Sequence, residues 1–328
     1  MRFCSGKGTA MTRLTDALAQ AGLASLLLLP AGSAAAQTYS YTSDDQTVSL
    51  TGGLGAIYLE GNEKVVSGSY TVSHLIWQST APVLRGSLSV DAGSGFSLNA
   101  EGSVAAWGAS YMEDFDWLKG DGRAANWSHR SQHPDTRLDH YFTGAASLAY
   151  DLVKDDTASV RLHGGVSYRD VQWTAYGGTY VYSSANGFRD QSGSIAQGQA
   201  GATYRQQIPE VFVGFDGEEH YGDIRLGGLL RGGVTLLART RDDHWLRNLR
   251  FVDELRVAPT VALGADVGFA LGRNAEITFA ARYDHVFEQV GDTKYYDIDT
   301  GRASGGASNA ASGGLRSAEI TAGLRGTF

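Results

Sequence analysis

Hydrophobic and polar residues alternate with a period of two along several stretches of the chain. The clearest stretch begins at Glu276, where apolar residues share one face and polar residues share the other. The apolar face comprises Ile277, Phe279, Ala281, Tyr283 and Phe287, and the polar face Glu276, Thr278, Arg282, Asp284 and Glu288. The same period starts at Val160 and Ile224. Such strands lie between an apolar environment and a polar one, as the strands of a membrane barrel lie between lipid and lumen.

Turn signals divide the chain into ten strands of this kind. No run of about 18 apolar residues follows residue 36, so helical spans are excluded and a closed barrel is the remaining way to cross a bilayer. We therefore predict an all-β fold, a ten-stranded antiparallel transmembrane β-barrel with long extracellular loops. The predicted strands are 46–60, 67–91, 96–111, 137–153, 157–184, 197–217, 223–240, 254–271, 275–290 and 313–328.

The predicted connections alternate in length. Those after even-numbered strands are short, whereas all but the first of those after odd-numbered strands are long: 112–136, 185–196, 241–253 and 291–312. Short turns belong on the periplasmic side and long loops outside, so each odd strand ends at the cell exterior. The Gly- and Ser-rich stretch 301–314 is predicted to be a mobile outer loop.

The first 36 residues have a different composition from the rest. A basic start at Arg13, an apolar stretch at 21–29 and small residues at 34–36 predict a secretory signal peptide over 1–36. Residues 37–328 then form one outer-membrane β-barrel domain. Met1 and Met11 serve equally well as the start of the chain, and the sequence does not decide between them.

Removal of that segment changes the composition of the mature chain. It takes away the single Cys4, so no thiol remains as a metal ligand or disulfide partner. It leaves 24 basic and 34 acidic residues, a net charge of −10, which disfavours a nucleic-acid partner. His129, Asp135 and His140 lie close together but lack regular ligand spacing, so we expect no metal or covalently bound cofactor.

Two short acidic motifs fall on the predicted outer rim. Asp114 and Asp116 lie where the third strand ends, and Asp242 and His244 where the seventh ends. With a period of two, each pair points to one side of its strand. If those sides face inward, His244 acts as a general base, Asp242 holds its tautomer, and the two aspartates position a water molecule or share a proton. On spacing alone, such matches also arise by chance in acidic segments.

Longer motifs strengthen this interpretation. Residues 112–117 (MEDFDW), 127–136 (WSHRSQHPDT), 177–184 (GGTYVYSS) and 187–190 (GFRD), followed by Asp242-Asp243-His244, resemble in type and order the motifs of the omptin family of outer-membrane proteases. The likeness runs from about residue 46 to the C-terminus. It implies an aspartic-type endopeptidase in the outer membrane, with its active site facing the exterior and peptides or proteins as substrates. It places the catalytic positions at Asp114, Asp116, Asp242 and His244.

Other positions depart from the family pattern. Omptins cleave between basic residues, yet Ala56, Thr240 and His129 are aligned where the family carries pocket acids. A lost carboxylate removes the charge-assisted partner of an arginine, about 1.5–3 kcal/mol per hydrogen bond. We therefore expect the first pocket to accept a less basic residue, although Asp243, Asp284 or Glu288 are alternative sources of the missing charge.

The resemblance also implies a requirement for lipopolysaccharide, held by basic residues on the outer wall. The corresponding stretch is Tyr168-Arg169-Asp170-Val171, and Gln207 lies near the place of a later basic residue, so the motif is incomplete. Arg205 is the candidate replacement. Lipopolysaccharide and the outer membrane are thus expected partners, and the protein is expected to be a monomer.

The remaining candidates have structural interpretations. His133 is expected to order a loop that supports the site, and Trp77, Trp117, Trp127 and Trp173 are expected to be girdle and rim aromatics. The lumen-facing arginines are expected to pair with acids such as Asp284 and Glu288. These arginines are Arg161, Arg169, Arg225, Arg231 and Arg282.

Two other functions compete with the protease. A catalytically altered or inactive omptin-like barrel would serve as an adhesin or surface-interaction protein. An outer-membrane lipase would need a serine beside a histidine on the outer wall, and no such pair stands out. For the protease, His244 must be neutral to accept a proton, so activity should fall on the acid side near the ordinary imidazole pKa of about 6.5.

Overall fold

The computed structural model describes residues 47–118 and 124–328, and most of these lie in β-strands. The predicted signal peptide, 1–36, and the two candidate start residues lie outside the described residues. Within 47–118 and 124–328, no helix has the length and apolarity needed to cross a membrane. The strands are β1 (Val48–Ser67), β2 (Tyr70–Gly93), β3 (Phe96–Ala105), β4 (Ala109–Asp116), β5 (His129–Lys154), β6 (Ala158–Tyr182), β7 (Gln191–Tyr221), β8 (Ile224–Thr235), β9 (Arg239–His244), β10 (Leu249–Leu255), β11 (Pro259–Ala270), β12 (Ala275–Asp297) and β13 (Ala303–Thr327).

These segments form ten barrel strands, because three of the strands are interrupted. β3 and β4 both lie between β2 and β5, β8 and β9 both pair with β7, and β10 and β11 both pair with β12. Every neighbouring pair is antiparallel, and β1 pairs with β13 from Ser49↔Thr327 to Val65↔Ala311. The sheet thus closes on itself, which confirms the prediction of a ten-stranded antiparallel barrel.

The alternation along the strands separates the outer wall from the lumen. Phe279, Ile320 and Leu324 are 49%, 64% and 60% exposed on the outer wall. Inside, Arg169 donates to Asp284 at 3.0 Å, and Arg161, Arg225, Arg231 and Arg282 also pair with acids, as expected. The expected role of Glu288 is wrong, because it pairs with Lys64 at 2.5 Å.

Several strands are much longer than the bilayer requires. β5, β6 and β7 contain 26, 25 and 31 residues, whereas about 9–11 residues cross the hydrocarbon. The predicted loops 112–136, 185–196, 241–253 and 291–312 are therefore too long: β4 continues to Asp116 and β5 already begins at His129. The barrel projects beyond the membrane, where both faces meet water and the alternation that marks a strand is weak.

The predicted mobile loop at 301–314 is also wrong. Residues from Ala303 onward belong to β13 and pair with β12, for example Tyr295 with Gly305. A Cβ on Gly306 would lie 2.8 Å from the carbonyl oxygen of Thr293. The small residues permit a close approach of two backbones there, so their composition does not indicate a free loop.

A hydrophobic core occupies another part of the lumen. Trp77 and Trp173 are fully buried with ring centroids 6.3 Å apart, and Tyr204 stacks on Trp77 at 5.8 Å. The Trp173 indole donates to Ser79 Oγ at 2.8 Å. The expectation that Trp77 and Trp173 are girdle aromatics is therefore wrong, because their strands turn these side chains inward.

Candidate active site

The structure brings the four predicted site residues together. Asp114 and Asp116 lie at the end of β4, and Asp242 and His244 at the end of β9. All four side chains line one groove with a volume of about 430 Å³. The two strands reach it from different parts of the barrel wall, because β4 pairs with β2 and β5, and β9 with β7 and β10.

The Asp242–His244 pair is held on the inner side of β9. His244 Nε2 forms an ion pair with Asp242 Oδ2, and Asp242 is only 1% exposed. Asp243, between them, points the other way and accepts from Arg250 Nε at 2.5 Å. The His244 ring packs edge-on against Phe251, with centroids 5.3 Å apart. These contacts fix the orientation of the imidazole.

The protonation of His244 reflects competing influences. Burial works to lower its pKa, but the negative charge of Asp242 and the hydrogen bond to it outweigh burial, and the pKa is raised above its ordinary value. Arg247 opposes this rise and Asp114 adds to it. The pair therefore favours the imidazolium, the form produced when His244 accepts a proton.

The carboxylate pair has the opposite tendency. Burial, and then repulsion from Asp116, raises the pKa of Asp114 to about 7. Burial also raises the pKa of Asp116 against the influence of Ser73, Arg247 and His129. Ser73 Oγ donates to Asp114 Oδ1 at 3.2 Å. Burial and the repulsion between the two carboxyl groups therefore favour a protonated Asp114 near neutral pH.

A second group of acids lies beside the Asp242–His244 dyad and was not identified from the sequence. Glu63 on β1 and Asp253 on β10 line the same groove, and each is 5% exposed. Thr240 Oγ1 donates to Asp253 Oδ2 at 2.6 Å, and Trp77 Nε1 donates to Glu63 Oε2 at 3.4 Å. Burial, followed by the charge of Asp242, raises the pKa of Glu63 well above its usual value.

This group corrects the sequence interpretation of Ala56. Ala56 is exposed and faces away from the groove, so it does not occupy a pocket position. Ile57, Leu59 and Glu63 share the inward face of β1, and that parity was the signal that could have identified Glu63. Thr240 is buried and does not line the groove, but it donates to Asp253 on the neighbouring strand, which does.

Two histidines near the site have different surroundings. His129 lines the groove, contacts Ser128 Oγ through Nδ1 at 2.9 Å and packs against Tyr182. His133 is buried within β5, with Nδ1 2.6 Å from the Gly177 carbonyl oxygen of β6, so the expectation that it orders a loop is wrong, because it lies between two paired strands. In the described part of the chain, no cluster of three His, Cys, Asp or Glu residues is arranged to hold a metal ion.

On the outer wall, the stretch expected to hold lipopolysaccharide has internal partners. Arg205 donates to Asp170 through Nε at 2.8 Å, His140 Nε2 lies 3.0 Å from Asp170, and Gln207 donates to the Tyr168 hydroxyl at 2.9 Å. Arg169 points into the lumen. The requirement for lipopolysaccharide stays a prediction.

Comparison with known proteins decides the family. A family model described as the Omptin family matches residues 44–328. The chain belongs to the omptin family. This omptin is 26% identical over 305 residues to Protease 7 of Escherichia coli (strain K12), covering 90% of the chain and 94% of that protein. It is 25% identical over 259 residues to the plasminogen activator of Yersinia pestis, covering 78% and 81%.

A solved structure supports the same architecture. The crystal structure of the outer membrane protease OmpT from Escherichia coli matches this omptin with a TM-score of 0.80 at 24% identity, covering 86% of this chain and 97% of that chain. That likeness confirms the fold. Another relative, the outer membrane protease OmpP of Escherichia coli (strain K12), is 25% identical over 250 residues, covering 74% and 79%. This omptin is thus an outer-membrane protein whose relatives are proteases, which supports a protease role.

Proposed function

We propose that this omptin is an outer-membrane endopeptidase that hydrolyses surface-accessible peptides and proteins with an activated water molecule. The observation that carries the proposal is the convergence of Asp114, Asp116, Asp242 and His244 on one groove. The raised pKa values of Asp114 and His244 add to it, because groups that transfer protons near neutral pH need such values.

The proposed reaction uses the two pairs on opposite sides of the scissile peptide. Neutral His244 takes a proton from water, and the resulting hydroxide attacks the peptide carbonyl carbon. Asp242 stabilises the imidazolium that forms. The proton shared by Asp114 and Asp116 donates a hydrogen bond to the oxygen on which negative charge develops. His244 then protonates the leaving nitrogen and the C–N bond breaks. His244 is neutral again, and the aspartate pair keeps its proton.

The second group of acids, Glu63 and Asp253, is suited to bind a cationic side chain of the substrate. Glu63 and Asp253 are buried beside Asp242, and burial together with repulsion from Asp242 raises the pKa of both carboxyl groups. Lys64, a nearby cation of the groove, is already paired with Glu288. A lysine or arginine side chain entering this pocket relieves the repulsion and gains charge-assisted hydrogen bonds. This proposal replaces the expectation of a less basic residue.

The test is cleavage of a peptide library by refolded protein, with and without lipopolysaccharide. We expect cleavage next to lysine or arginine, and we expect His244→Ala and Asp114→Ala to reduce kcat by about 10²- to 10⁴-fold, the usual contribution of acid–base groups. His220→Ala is the matched control, because His220 lies near the far end of β7 and is largely exposed.

Two results would contradict the proposal. One is cleavage by His244→Ala at the rate of the control. The other is no cleavage by wild-type protein under any condition, which favours the alternative of an adhesin or surface-interaction protein on the same scaffold. Gel filtration in detergent during the same preparation tests the predicted monomer.

A further inference from the structure

Charge is distributed unevenly along the groove. The buried acids Glu63 and Asp253 lie beside Asp242. Burial raises the pKa of Asp253, hydrogen bonds with Thr240 and Thr293 oppose that rise, and the charge of Asp242 adds to it. The positive charge of Arg247 instead works to lower the pKa values of four groups: Asp114, Asp116, Tyr182 and His244. The groove therefore has an acidic part next to Asp242 and a part next to Asp116 that contains a cation.

The position of Arg247 is set by a short turn. A single 3-10 turn, Trp245–Arg247, follows His244 directly, and β10 begins at Leu249. Asn248 closes the turn with φ 52°, and its backbone N–H donates to the Trp245 carbonyl oxygen at 3.3 Å. The Trp245 indole donates to Thr203 Oγ1 at 2.9 Å and attaches the turn to β7. Arg247 thus projects from an anchored segment at the groove.

Arg247 is an available cation. In the described part of the chain it donates no hydrogen bond and joins no ion pair, although it lines the groove and is exposed. Arg241 and Arg250 on the adjoining strands both bind Asp243, at 2.9 Å and 2.5 Å. Lys64 binds Glu288. A guanidinium without a carboxylate partner, next to a binding groove, is suited to a carboxylate from a ligand.

Aromatic rings and a histidine line the groove near Arg247. His129 and Tyr182 line the same part of the groove, with ring centroids 4.9 Å apart, and Tyr180 stacks on Tyr182 at 4.6 Å. His129, like Arg247, works to lower the pKa of Asp116. A second basic side chain of the substrate would meet Arg247 here and be repelled, whereas a glutamate or aspartate would be attracted.

Building on the proposed function, we propose that the groove selects peptides with a basic side chain on one side of the scissile bond and an acidic side chain on the other. Glu63 and Asp253 receive the basic side chain, and Arg247 receives the acidic one. Arg247 is therefore a specificity-determining residue. Its exposure, in contrast to the burial of Asp242, indicates a contact with the substrate side chain and not with the reacting carbonyl.

The test is a peptide set with arginine fixed on one side of the cleaved bond and Glu, Gln or Lys on the other, in both orders. For wild-type protein we expect kcat/KM to fall from Glu to Gln to Lys, with about a three- to tenfold difference between Glu and Lys for a partly exposed charge pair. Arg247→Gln should make the three peptides nearly equal, and Arg247→Glu should reverse the order. The matched control is Arg239→Gln, because Arg239 is also exposed but does not line this groove.

The outcomes separate this inference from the proposed function. Cleavage of all three peptides at equal rates by wild-type protein, or an order left unchanged in Arg247→Glu, would overturn the inference while the protease stands. A fall in kcat that is the same for every peptide in Arg247→Gln would also overturn it, because Arg247 would then act on the chemical step. No cleavage of any peptide by wild-type protein would overturn the proposed function and the inference with it.

Discussion

The substitution Asp242→Asn tests the dyad most informatively, because it preserves shape and removes one charge. Asp242 is 1% exposed, and its carboxylate holds His244 Nε2. A hydrogen bond to a charged group contributes about 1.5–3 kcal/mol, and each 1.36 kcal/mol corresponds to a tenfold change in rate. Loss of that stabilisation of the imidazolium lowers kcat by about 10- to 160-fold. If the amide also selects the wrong tautomer, the loss approaches about 10⁴-fold, as in serine protease triads.

The same substitution shifts the pH dependence in a predictable direction. In the wild-type protein the charge of Asp242 raises the pKa of His244, so the acid limb of kcat lies above the ordinary value of about 6.5. Without that charge, burial and Arg247 lower the pKa, and the acid limb moves to lower pH. The assay is kcat and KM for a fluorogenic peptide from pH 5 to 9. A plateau within about threefold of wild type, or an unmoved limb, would refute the reasoning.

Three further predictions follow from the contacts. Asp114→Asn removes the carboxyl group that holds a proton in the proposed mechanism and should lower kcat by about 10²-fold or more, and an unchanged rate would show that the pair is not used. Trp173→Ala should destabilise the barrel in urea by about 3–5 kcal/mol, whereas Trp107→Ala, 85% exposed, should have little effect; equal losses would contradict the packing. Gly178→Ala should lower the melting temperature, because φ is +118° and a Cβ would lie 2.4 Å from the Gln132 carbonyl oxygen; an unchanged value would disprove this strain.

The barrel strands were predictable because lipid imposes one simple rule on the outer wall. From Ile277 to Phe287 every second residue except His285 is apolar. The observed strand starts at Ala275, as predicted. The outer ends of the strands were not predictable in the same way. Beyond the membrane both faces meet water, so β13 begins at Ala303 in a stretch whose Gly and Ser content predicted a loop.

The candidate catalytic motifs could be found in the sequence because each is short and lies within one strand. Asp114 and Asp116, or Asp242 and His244, share a face through the period of two. Glu63 was missed because its proximity to Asp242 depends on how β1 and β9, which are distant in sequence, lie in the barrel. Asp253 was missed because its position depends on the register between β9 and β10, and Arg247 because its direction depends on the turn that joins them. Asp253 reaches Thr240 only because β10 pairs with β9 in one register.

The aromatic core shows the same limit. Trp77 and Trp173 are of the residue type that forms membrane girdles. Only the inward direction of their side chains distinguishes a core position from an interfacial one. An indole beside a serine 94 residues away in the chain, as in Trp173 and Ser79, has no local signature. The lumen pairs were predicted as a class, but individual partners such as Lys64 and Glu288 were not.

The most direct test of the central claim is the fate of the oxygen atom during a single turnover. The refolded protein, with lipopolysaccharide, would cleave a peptide in ¹⁸O-labelled water containing hydroxylamine, and mass spectrometry would examine the fragment with the new carboxyl end. We expect one ¹⁸O atom in that carboxyl group and no hydroxamate, because in the proposed mechanism water activated by His244 attacks the peptide directly. A hydroxamate product would reveal an acyl-enzyme and contradict it.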